Sequence, residues 1–98
     1  MNRYDADLMD KPSIHSELCP FCGRMATNAH HIVYRSRGGK DGPTVDVCGS
    51  GTEGCHWLFH SHRLHLRWDG GWMYLRTDEP VKQDKALGME GWRNVIRY

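Results

Sequence analysis

Cys48-Gly49-Ser50-Gly51-Thr52-Glu53-Gly54-Cys55-His56-Trp57-Leu58-Phe59-His60 carries two metal-ligand patterns end to end. Its first part sets two cysteines around a loop with three glycines, flexible enough to fold back and bring both sulfurs to one point. Its second part reads as a helix running from His56 to Leu64. His56 and His60 stand at i and i+4 and therefore share a face. The start of this helix follows the glycine loop, and no capping residue is evident. Upstream, Leu18-Cys19-Pro20-Phe21-Cys22-Gly23 has the spacing of a zinc knuckle: a short turn aims both sulfurs at one point, and Gly23 permits a positive φ behind the second thiolate.

The four cysteines Cys19, Cys22, Cys48 and Cys55 are thus expected to form one structural zinc site. Four protein ligands leave no position for a substrate. The composition calls for such a staple. Hydrophobic residues make up 39% of 98 residues and mean hydropathy is −0.69, a lean core for one small domain. The longest apolar run, Trp72-Met73-Tyr74-Leu75, is far too short to span a membrane. Met1 to Asp7 lacks the basic-then-apolar profile of a signal peptide. The expectation is therefore a cytoplasmic, reducing compartment, where thiols bind metal rather than pair as disulfides. A net charge of +1 gives no diffuse basic surface, so contact with nucleic acid would rest on local charge.

Three regions are expected. Residues 1–17 form a lead-in, with Lys11-Pro12-Ser13 breaking any helix. Residues 18–76 form the main domain, and residues 77–98 a polar extension that either docks back or stays loose. Within the main domain, Asn28 to Tyr34 reads as a strand, Arg35 to Pro43 as a loop, and Thr44 to Cys48 as an alternating strand, together a long-looped hairpin. Leu64 to Trp68 and Trp72 to Arg76 flank Asp69-Gly70-Gly71, a good hairpin signal. Phe59, Trp57, Leu58, Ile32, Val45 and Val47 are expected in the core, with Trp68, Trp72 and Tyr74 packing the second hairpin. His15, His62 and His65 are read as surface or half-buried residues.

A His-x-x-x-His pair on a helix clamps a metal, and one more imidazole makes three protein ligands. Three ligands leave positions open for water and a phosphate oxygen, as in a catalytic site. His30 and His31 are adjacent on the expected strand, so their side chains point to opposite faces.

The ordered set Cys19-Pro20-Phe21-Cys22, Ala29-His30-His31-Ile32-Val33, Arg37-Gly38-Gly39, Cys48, and Gly54-Cys55-His56 through His60 resembles the HNH endonucleases of the ββα-metal (His-Me finger) fold. The resemblance covers about residues 19–62. It implies an α+β domain: a small ββα-metal unit with a structural zinc knuckle and an added C-terminal β-hairpin. It implies a DNA endonuclease in which His31 is the general base that activates water, leaving 5′-phosphate and 3′-hydroxyl ends. His30, where many relatives carry aspartate, would be a ligand of the catalytic divalent metal, completed by His56 and His60. An all-imidazole set suits Zn, Ni, Co or Mn better than Mg. The Cys-Gly-Ser-Gly-Thr-x-Gly-Cys-His segment is similar to phage and prophage nucleases linked to DNA packaging. DNA is then the expected partner, alongside a homodimer or packaging proteins, in a bacterial host cell.

The middle-letter asparagine of the family, which braces the hairpin loop, has no counterpart. Its slot falls near Pro43 or Thr44, and Asp46 supports His31 only if the strand register cooperates. That departure keeps a second reading open, a noncatalytic zinc module that binds nucleic acid or a protein. Arg35 and Arg37, in the hairpin loop with Lys40, are the expected DNA-backbone contacts, with Arg24, Arg63 and Arg67 as weaker candidates.

Overall fold

The alternation in Thr44-Val45-Asp46-Val47 places both valines on one face, and both are fully buried. In the computed structural model, which describes residues 3–33, 38–50 and 52–95, this strand is β2 (Thr44–Val47), and it pairs antiparallel with β1 (Asn28–His31). The register sets Ala29 against Asp46, His30 against Val45 and His31 against Thr44. β1 is shorter than the expected strand to Tyr34. It bends at Ile32 and Val33, and Tyr34 with Arg35 to Arg37 lies outside the described residues.

A helix follows the hairpin, α2 (Gly54–His60), shorter at its C-terminal end than the sequence suggested. Glu53 precedes it without a side-chain capping bond. Leu64–Trp68 (β3) and Trp72–Arg76 (β4) form the second hairpin with the expected bounds, Trp68 opposite Trp72. A two-residue strand, Arg93–Asn94, adds to the free edge of β4. Among the described residues the fold is therefore mixed helix and sheet, with a two-stranded and a three-stranded sheet.

Segments near both ends of the described residues enter the core. An N-terminal helix, α1 (Arg3–Leu8), stops ahead of Pro12 and inserts Leu8. Ile14 is 0% exposed and lies along the outer edge of β2: its N–H donates to the Thr44 carbonyl and its carbonyl accepts from Asp46 N–H, at 2.8 and 2.9 Å. The buried Trp72 donates from Nε1 to the Pro12 carbonyl at 2.8 Å. The C-terminal stretch docks back as far as the buried Val95, through a further helix at Gln83–Leu87 (α3) that contacts β3. Trp92 donates from Nε1 to the Ala86 carbonyl. Leu8, Ile14, Ala86 and Val95, from the lead-in and the extension, are thus buried in the fold.

Two side chains depart from expectation. Trp57 is 37% exposed rather than core. On α2 it sits two residues from the buried Phe59, and a 3.6-residue period turns it away from that face. The Arg63 guanidinium lies 4.9 Å from its ring centroid. His65 is 3% exposed rather than superficial. Its Nδ1 lies 2.8 Å from Gln83 Oε1 and its Nε2 3.0 Å from the His62 carbonyl, while Gln83 Nε2 donates to the Leu66 carbonyl. His15 and His62 are exposed, as expected.

Candidate metal centres

The knuckle turn is closed by its own backbone. Gly23 N–H donates to the Cys19 carbonyl at 2.9 Å, and Gly23 adopts the expected positive φ of 80°. The second cysteine pair is folded back as its glycines permit. Gly49 has φ 85°, and a Cβ there would stand 2.2 Å from the Glu53 carbonyl oxygen, so no side chain fits. Ser50 and Glu53 exchange backbone hydrogen bonds, and His56 N–H returns to the Cys48 carbonyl at 3.1 Å. Thr27 and Asn28 side chains both donate to the Gly49 carbonyl, tying this loop to the start of β1.

The four sulfurs of Cys19, Cys22, Cys48 and Cys55 consequently lie within 4.8 Å of one another. Cys22 is exposed and the other three are buried; none forms a disulfide. The Cys19 thiol is pushed down to about 4, chiefly because the Cys55 thiol hydrogen-bonds to its sulfur, with burial opposing and the backbone N–H groups of Cys48, Phe21 and Cys22 assisting. That same bond holds the Cys55 proton well above the ordinary thiol range, with burial adding to it. Burial also raises Cys22. A soft metal ion replaces the protons that thiols share at close range and releases them as it binds. The cluster offers four sulfur donors to one ion.

A second cluster forms where β1 meets α2. His30 is 4% exposed, His56 half-buried and His60 exposed, and one nitrogen from each lies within 4.8 Å of the others. His56 Nε2 and His60 Nε2 approach to 3.0 Å, a hydrogen bond in which one ring donates and the other accepts. The His30 ring meets those of His56 and His60 edge-on, both at 5.3 Å between centroids. Burial first, and the neighbouring imidazoles second, push His30 down to about 3. Burial lowers His56 as well, with His60 contributing. His30 is therefore neutral near pH 7, the protonation state in which an imidazole nitrogen ligates metal. His56 Nδ1 is buried without a hydrogen-bond partner.

His31 stands beside this cluster and outside it. It is half-buried, pairs across the ladder with Thr44, and its Nδ1 is buried with no hydrogen-bond partner. The register does not bring Asp46 to it. Asp46 Oδ2 instead accepts from Ser16 N–H at 3.0 Å and faces His15 Nδ1 at 3.5 Å. At the position of the missing asparagine, two backbone N–H groups tie the loop: Ile32 N–H donates to the Pro43 carbonyl, and Thr44 N–H donates to the Ser13 side-chain Oγ at 3.0 Å. Ser13 is a brace that no local pattern announces, because it lies 31 residues from its partner.

Arg35 and Arg37, the expected DNA contacts, lie outside the described residues. Lys40 and Arg24 are exposed. Arg63 is held by Trp57 and by an Nε bond to the Asp78 carbonyl, and Arg67 packs on Trp92 at 4.7 Å. No helix among the described residues is long and apolar enough to cross a membrane. No protein-family model, curated protein or solved structure matches the chain.

Proposed function

We propose that the protein is a metal-dependent DNA endonuclease of the HNH type, built on a ββα-metal unit formed by β1, β2 and α2. One observation carries this reading: His30 from the strand and His56 and His60 from the helix converge on one point, with His31 next in the chain. Three imidazoles suit Zn, Ni, Co or Mn, and a three-ligand set leaves room for water and a phosphate oxygen. A divalent ion bound there would polarise the scissile phosphate and stabilise charge on the leaving 3′ oxygen. His31 takes the proton from the attacking water, and the products carry 5′-phosphate and 3′-hydroxyl ends. Cys19, Cys22, Cys48 and Cys55 would hold a structural zinc ion, the metal that a set of four thiolates favours. Arg35, Arg37 and Lys40 are the contacts proposed for the DNA backbone, on their charge.

A second reading is a noncatalytic zinc module that binds nucleic acid or protein. It is favoured by Pro43 and Thr44 at the asparagine slot and by the unpartnered Nδ1 of His31. A supercoiled-plasmid nicking assay with each divalent metal separates the two. Metal-dependent nicking by the native chain that disappears in His31→Ala supports the endonuclease. Equal background cleavage by both chains with every metal refutes it.

A further inference from the structure

The two clusters are joined by a line of contacting rings. Phe21 sits inside the knuckle turn, between Cys19 and Cys22. It meets Phe59 edge-on at 5.5 Å and Tyr74 at 5.1 Å. Phe59 in turn lies almost parallel to the His30 imidazole, with centroids 4.6 Å apart and planes 15° apart. Phe59 is 6% exposed and belongs to the same helix as Cys55, His56 and His60. One element thus supplies a sulfur to the first cluster, two imidazoles to the second, and the ring that covers the third.

The metal-binding lone pair of an imidazole lies in the ring plane. A flat ring pressed on one face fixes that plane and with it the direction of the lone pair. The His56 and His60 rings stand at 68° and 85° to the His30 plane, both with centroids 5.3 Å away, while Phe59 lies parallel on one face. In the plane so held, one His30 nitrogen lies within 4.8 Å of a nitrogen of each of the other two.

We infer that Phe59 is a positioning residue for His30, and that Phe21 links it to the cysteine cluster, so that the two clusters bind metal cooperatively. Filling the thiolate site tightens the histidine site, and by linkage the reverse holds with the same factor. This rests on the histidine triad being a metal site. Its effect on affinity is of the size reached by other residues that orient a metal's ligands, about tenfold or more.

The test uses the full chain with one equivalent of zinc in the thiolate site, titrated with Co2+ and read by the visible spectrum of the imidazole-bound ion. Phe59→Leu keeps an apolar side chain and removes the flat face. The expected result is Co2+ affinity weakened about tenfold or more, with a changed spectrum, while zinc content and near-ultraviolet dichroism hold. Phe59→Tyr retains the ring and restores both. Phe21→Leu weakens Co2+ binding in the same direction by a smaller factor, and it carries the test if Phe59→Leu does not fold. Unchanged Co2+ affinity and spectrum in a folded Phe59→Leu chain, or in Phe21→Leu when it stands in, overturn the inference alone. A native chain that takes up a single metal ion overturns both this inference and the histidine site on which it rests.

Discussion

Acidification separates a buried neutral His30 from an ordinary histidine. The group sits 4% exposed, with His56, His60 and His31 around it, and its value falls from 6.5 to about 3. The folded chain therefore binds fewer protons than the unfolded chain between these values. Stability rises with pH across that window and is lost as pH falls from 6.5 towards 3. At pH 5 the unfolded side chain is almost wholly protonated and the folded one is neutral, a difference of about 2 kcal/mol, or roughly 30-fold in the folding constant. The assay is denaturant unfolding at pH 8 and pH 5, followed by tryptophan fluorescence, on the native chain and on His30→Gln, each with one equivalent of zinc. Cysteines, carboxylates and the other histidines are common to both chains, so the difference between the two losses isolates His30. The native chain is expected to lose about 2 kcal/mol more than the variant. Equal losses would refute the burial of a neutral imidazole at this position.

Three further outcomes follow from the packing. Cys19→Ala breaks the four-sulfur set, so zinc content falls by one ion and the melting temperature drops by more than about 10 °C; unchanged values contradict the structural site. Gln83→Leu strips His65 Nδ1 of its partner inside the core, costing about 1–3 kcal/mol by denaturant unfolding, and a neutral effect would show the pair is not held. Gly49→Ala forces a Cβ against the Glu53 carbonyl at a φ of 85°, so the loop between Cys48 and Cys55 shifts and a competing chelator removes zinc faster than from the native chain. Equal rates of removal count against the close approach.

What was readable in the sequence is what local spacing encodes. The hairpin from Leu64 to Arg76 follows from alternation and an Asp-Gly turn, and the knuckle from two cysteines and a glycine. The i, i+4 geometry of His56 and His60 needs only a helix. What was hidden depends on distant partners. Ile14 lies in a polar lead-in and is fully buried because it completes the edge of β2, a pairing with no local signature. His65 is buried because Gln83, eighteen residues on, answers its ring. Trp57 looked like core because the chain is short of apolar mass, yet the same helical period that buries Phe59 turns it outward. Of the expected candidate site, the sequence named the three converging histidines and the four converging cysteines. Phe59 was expected in the core and is buried there; its parallel contact with His30 and its contact with Phe21 depend on tertiary packing and have no local mark beyond their place among the ligands.

The most direct test of the account is the metal-edge anomalous map of crystals grown with zinc and then soaked in Ni2+ with a short DNA duplex. The account predicts two sites per chain. One is a zinc ion held by Cys19, Cys22, Cys48 and Cys55; the other is a nickel ion held by His30, His56 and His60, with its remaining positions filled by water or a phosphate oxygen. A histidine cluster that binds no metal under these conditions, or one whose ion is closed off by a fourth protein ligand, would contradict it.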